Sequence, residues 1–308
     1  MIYTITFNPA IDLVLTSDSI TLGELNRSSD EEFVAGGKGI NASVIFDHLD
    51  QPTIATGFIG GFTGRFIEEA LDTADIAHHF ISIEGKTRVN VKLHADVETE
   101  INSAGPKVSV EAMQELLSYL SENVTDGDVI FLAGNAAPGL GAKDYVAVAE
   151  LAKSKNARFV LDTNRALLEE CLPHHPFIIK PNRDELGELF NVTITNQAET
   201  VHYAKKLQEA GAQNVLVSLG GEGALLLSET GDIYTSNAPK GEVKNSVGAG
   251  DSMLAGFISE YLRTNDPAAS LKRGAATGSA TAFSVGIATR EKIDEIYTQI
   301  VVKPLTDD

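Results

Sequence analysis

The 308-residue chain has no tryptophan, one cysteine and three methionines, and its 24 lysines and arginines are outnumbered by 43 aspartates and glutamates. Each shortage closes a route. A single thiol, Cys171, excludes an intrachain disulfide framework, and it is given no catalytic role. A formal net charge of −19 repels polyanions, so neither nucleic acid nor an anionic membrane is expected as a partner. No apolar run approaches the roughly 20 residues that a bilayer crossing needs. The first residues lack the charged, apolar and small-residue layout of a signal peptide, so the expected compartment is the cytoplasm. The doublets His78–His79 and His174–His175 lack zinc-ligand spacing and are read as structural.

What is present is an ordinary globular composition, 43% hydrophobic and 22% charged, in a chain long enough for one large core or two unequal ones. Short β-branched runs at 1–7, 53–59, 128–134, 158–162, 177–180 and 214–219 alternate with helix-period segments at 39–49, 111–123, 143–154, 199–210 and 253–262. Runs this apolar suit strands covered on both faces, and the alternation predicts a mostly parallel sheet between two helical layers. Residues 11–34 and 86–103 break the rhythm. In the second segment Val89, Val91, Leu93 and Ala95 alternate with Arg88, Asn90, Lys92 and His94, giving one apolar and one polar face. These segments are expected to pair as a small antiparallel β-sheet lid over a cleft, with 1–10, 35–85 and 104–308 forming the α/β nucleotide-binding and catalytic domain.

The stretch "NSVGAGDS" at 245–252 sets Gly248, Ala249 and Gly250 before Asp251 and an apolar helical pattern. Small residues let backbone N–H groups approach a ligand, and those at a helix N-terminus carry the positive end of the dipole. The segment therefore reads as an anion hole with Asp251 at or near the N-cap. An ordinary cap does not need the small triplet. A carboxylate beside an anion hole suits phosphoryl transfer, since it can accept the proton of an attacking hydroxyl while the amides stabilise the moving charge. Walker A spacing and the G-x-G-x-x-G dinucleotide fingerprint are both absent.

The motifs "AGGKGIN" (35–41), "GFIGGFTG" (57–64), "KPNRDE" (180–185), "VSLGGEGA" (217–224) and "NSVGAGDS" occur in the order and spacing of one family. Across essentially its whole length the chain resembles the ribokinase-like, phosphofructokinase B type carbohydrate kinases. The resemblance implies a three-layer α/β/α sandwich, ATP as phosphoryl donor, Mg²⁺, and a sugar-phosphate substrate. It implies Asp251 as catalytic base, with Gly248, Ala249 and Gly250 as the anion hole. Asn182 would order phosphate and Glu185 the metal, while Ser218, Gly220, Gly221 and Gly223 would place amides near the nucleotide. On the sugar side it implies Asp12, Gly36, Gly37, Lys38 and Asn41, and the candidate cations for the substrate's existing phosphate are Arg27, Lys38 and Arg88, with Asn90 as a neutral donor. The segments "LNR" (25–27), "TRVNVK" (87–92) and "TEIN" (99–102) look most like members that phosphorylate fructose 1-phosphate to the 1,6-bisphosphate. Kinases of tagatose 6-phosphate or fructose 6-phosphate are the near alternatives, and a catalytically silent sugar-phosphate sensor is the alternative of another class.

Two loops depart from the family pattern. "GNAAP" (134–138) has Asn135 where the family often shows serine, and "DTNRA" (162–166) has Asn164 and Arg165 where a small Ser-Gly pair is common. Arg165 is read as a surface residue. Because the lid's exposed face in the family often packs against a partner subunit, a homodimer through the lid is expected.

Overall fold

The computed structural model describes residues 1–305, so the last residues of the 104–308 segment, 306–308, lie outside the described ones. The apolar runs become one ten-stranded sheet. Ile2–Thr6 stands inside it, with Thr53–Ile59 and His78–Ser82 to one side and Val129–Ala133, Arg158–Asp162, Ile178–Ile179 and Asn214–Ser218 to the other. All of these pair in parallel. Past Ser218 the chain doubles back through Ala224–Leu227 and Ile233–Ser236, and Val302–Pro304 closes the edge, each antiparallel to its neighbour.

Successive side chains on a strand point to opposite faces, so a strand covered on both sides cannot alternate with polar residues. Ile130 and Leu132 pack with helices Val110–Asn123, Ala142–Ser154 and Gln197–Glu209. Val129, Phe131 and Ala133 pack on the other side with Lys38–His48, Ala249–Thr264 and Pro267–Ala282. The three-layer sandwich follows directly from that division.

The second sheet runs in the order Asp30–Gly36, Ala10–Thr16, Arg88–His94 and Thr99–Ile101. Its outer ladders are antiparallel as expected, but its central pair, Ala10–Thr16 with Arg88–His94, is parallel. The reason lies in the main sheet. The two central strands follow Ile2–Thr6 and His78–Ser82, which themselves run the same way, and both leave by the C-terminal edge. The alternation of residues 88–92 is realised: Arg88, Asn90 and Lys92 line a cleft, while Val89 packs against Ile11, Ile40 and Ile59.

One helix boundary differs from the periodic pattern. The helix expected from residue 253 begins at Ala249, one turn earlier, because Gly248 in the left-handed region (φ 78°) serves as its N-cap. Asp251 is consequently the third helical residue, inside the first turn.

Candidate active site

The C-terminal ends of the parallel strands and the polar face of the second sheet enclose a cleft of about 470 Å³. Charged side chains meet there although the strands that deliver them are apolar, as expected where an open α/β sheet binds ligands. Asp251 is 6% exposed, and its Oδ2 accepts a hydrogen bond from Asn41 Nδ2 at 2.9 Å. Burial, reinforced by the neighbouring charge of Asp162, pushes its pKa up to about 6 against the opposing pull of Lys38, Asn41 and Lys180. Asp251 makes no capping bond, since the N-cap is Gly248 and no side chain caps that end. Helix Lys38–His48 also starts uncapped, at Gly37. Two sets of free backbone N–H groups therefore open onto the same cleft, which suits an anion between them.

Asp162 closes strand Arg158–Asp162 and sits 3.0 Å from Lys38 Nζ and 3.8 Å from Lys180 Nζ. Burial alone would raise its pKa, but Lys180 and Lys38 together hold it below the usual carboxylate range. Lys180 is 6% exposed and lies against Gly250, where a Cβ would come within 2.9 Å of its Nζ. The glycine admits the lysine to the helix end.

At the other end of the cleft Asp12 Oδ1 accepts from Asn90 Nδ2 at 2.9 Å, across the register that pairs the two residues. Gly36 backs this carboxylate, and a Cβ there would stand 2.7 Å from Asp12 Oδ2. Arg88 donates Nε and Nη2 to the carbonyl of Asn8 and Nη1 to that of Ser103. Of its five N–H groups, some therefore remain for a ligand. Arg27 is not brought to this cleft: it lies exposed in the connection between Ala10–Thr16 and Asp30–Gly36 and is not among the residues that line it.

Asn182 and Glu185 form a capping box on helix Arg183–Phe190: Asn182 Oδ1 accepts from Glu185 N and Glu185 Oε2 accepts from Asn182 N, both at 2.8 Å. One carboxylate oxygen of Glu185 remains outside the box. Among the described residues no cluster of three His, Cys, Asp or Glu side chains could hold a metal. A Mg²⁺ that keeps most of its shell as water and phosphate oxygens fits such a sparse donor set. Ser218 bridges to Asn182, and the turn that follows it, Gly220–Glu222, is tied to the same helix by the Arg183–Glu222 ion pair. Gly223 ends the turn, so the candidate nucleotide loop and the candidate metal helix form one unit.

Asp162, Lys180, Asn8 and Thr6 line this region without having been singled out from the sequence. The signal was available for two of them. "RFVLD" and "FIIK" each end an apolar strand with a charge, at the sheet edge where ligands bind. Arg165 lies at the surface as expected, bonded to Glu169, Asn191 and the Glu188 carbonyl.

Comparison with known proteins adds an independent line. The family described as pfkB family carbohydrate kinase matches residues 4–293. The chain is 41% identical over 305 residues to a protein named 1-phosphofructokinase from Bacillus subtilis, covering 99% of this chain and 100% of that one. It is 35% identical over 306 residues to D-tagatose-1-phosphate kinase of Bacillus licheniformis, again covering 99% and 100%. Among solved structures, phosphofructokinase-2 from Escherichia coli in complex with substrates and products shares the fold, with a TM-score of 0.90 over 96% of this chain and 98% of that one at 24% identity.

Proposed function

Because the chain belongs to the pfkB family of carbohydrate kinases, we propose that it transfers the γ-phosphoryl group of ATP to the C6 hydroxyl of a ketose 1-phosphate, fructose 1-phosphate foremost. The observation that carries the reading is Asp251, a buried carboxylate with its pKa near 6, set in the first turn of an uncapped helix. Such a group is ionised at neutral pH yet basic enough to take the proton of an attacking hydroxyl. The transferred group passes in line between the two oxygens. Its charge is met by the amides of Gly250 and Asp251, that of Ala249 being taken by the Ser246 carbonyl, and by Lys38 and Lys180, which are already in place and need no reorganisation. Mg²⁺, held through Glu185 and ordered with Asn182, would supply charge neutralisation on the phosphates. Ser218, Gly220, Gly221 and Gly223 would hold the nucleotide.

Asp12, Asn41, Gly36 and Gly37 would orient the sugar, and Arg88 and Asn90 the phosphate it carries. Fructose 1-phosphate and tagatose 1-phosphate differ only in configuration at C4, so relatives named for each favour a substrate phosphorylated at C1. ADP release with Mg-ATP should be strongest with a ketose 1-phosphate. Preference for fructose 6-phosphate or tagatose 6-phosphate would overturn the orientation, and release with none of these would favour the silent sensor.

The second sheet would act as the lid and as the contact between two copies of the chain. Its connection and edge expose Leu22, Leu25, Phe33, Val97 and Ile101, with Phe33 51% accessible. Apolar groups grouped this way normally meet a partner. Light scattering should give a mass twice that of the chain, and Phe33→Asp should shift it toward the monomer. A monomeric wild-type protein would remove the contact.

A further inference from the structure

The turn between strands Asn214–Ser218 and Ala224–Leu227 spends part of its backbone on itself. Glu222 N donates to the Leu219 carbonyl at 3.2 Å and Gly223 N to that of Gly220 at 3.0 Å. The N–H groups of Gly220 and Gly221 have no partner among the described residues. Both glycines are exposed, and a Cβ on either would meet nothing within 4 Å. These two amides are therefore the ones in the turn that a phosphate can reach.

Nothing inside the turn aims them. Glycines lose the most conformational freedom on being fixed, and from Gly220 to Gly223 only Glu222 has a side chain. That side chain is anchored elsewhere: Glu222 Oε1 accepts from Arg183 Nη1 at 2.8 Å and Oε2 from Nη2 at 2.6 Å. Two parallel bonds from a planar fork fix direction as well as distance. Arg183 opens helix Arg183–Phe190 directly after the Asn182 cap, and its side chain is 24% exposed with Nε buried, so the fork is itself held. On the strand side the turn has a backbone tie to the same segment, from Ser218 N to the Pro181 carbonyl at 3.1 Å. The ion pair is its counterpart beyond the glycines.

We propose that Arg183 is a positioning residue for the nucleotide. Through Glu222 it holds the N–H groups of Gly220 and Gly221 in place for the phosphates of ATP, and it cancels a carboxylate that would otherwise repel them. The inference rests on the nucleotide-loop reading above. A partly exposed ion pair contributes little to global stability, so its consequence is local. It stands where a chain of net charge −19 has to accept a polyanion.

Steady-state kinetics with ATP and ketose 1-phosphate varied separately tests it. Arg183→Ala should raise the ATP KM about fivefold, the upper range for an exposed pair, with the sugar-phosphate KM and kcat within about twofold and no change in melting temperature. Glu222→Ala should raise it less, because it leaves a cation rather than an anion near the phosphates. The double variant should fall back to the Glu222→Ala value, since the repelling carboxylate is gone. An unchanged ATP KM in Arg183→Ala, an equal rise in the sugar-phosphate KM, or a double variant worse than Arg183→Ala overturns the inference. Wild-type protein that binds no Mg-ADP in calorimetry overturns the nucleotide-loop reading beneath it, and this inference with it.

Discussion

Asp251→Asn is expected to lower turnover by a factor of about 10³, the usual contribution of a positioned general base, while leaving both KM values near wild type. Asparagine fills the same space and can still accept from Asn41, so the helix start and its amides stay in place. Only proton removal is lost. The same residue sets a pH signature. Its pKa of about 6 lies above the ordinary aspartate value near 3.9, so the active, ionised form is depleted below about pH 6. Wild-type kcat/KM should therefore rise with pH through about 6 and level off, and the variant's residual activity should lack that limb. A stability effect follows with opposite sign. A carboxylate whose folded pKa is raised costs stability that grows as pH climbs from about 4 to 6, so removing the charge should raise the melting temperature at pH 7 by a few degrees. Turnover within tenfold of wild type would take Asp251 out of the mechanism.

That residue was legible in the sequence because its surroundings are chemical and local. A small triplet before an apolar helical period carries the anion hole on its face, and five ordered motifs fix its family. The main sheet was equally legible, since strands buried on both faces must be uniformly apolar. What the sequence hid is whatever depends on pairs distant in the chain. Asp162 and Lys38 are separated by 124 positions and meet only because one ends a strand of the main sheet and the other begins the helix that follows Asp30–Gly36 of the second sheet. Likewise, Arg27 and Arg88 look equivalent as isolated cations, yet only Arg88 lies on a strand whose pleat turns it into the cleft. The parallel central pair of the second sheet was hidden for the same reason, because strand direction is set by where each segment leaves the main sheet.

Asp162→Asn tests the hidden part, and two effects are expected. The buried carboxylate faces Lys38 and the almost fully buried Lys180, so neutralising it leaves cations without their partner. Breaking a buried pair in this way costs about 3–5 kcal/mol; because the Lys38 side chain is 39% exposed and screened, the loss here should fall near the lower figure. The folded pKa of Asp162 is depressed, so its stabilisation is present above the unfolded value near 3.9 and fades as pH falls below it. The difference in urea midpoint between variant and wild type should accordingly be full at pH 7 and shrink below about pH 4. The second effect reaches the base. Burial and Asp162 raise the pKa of Asp251 while Lys38, Asn41 and Lys180 lower it, so removing Asp162 leaves burial alone against them. The acid limb of kcat/KM should move below pH 6, and turnover should fall because the less basic carboxylate accepts a proton less readily. An acid limb that stays near pH 6 would mean that Asp162 does not set the basicity of Asp251, and that burial alone accounts for it.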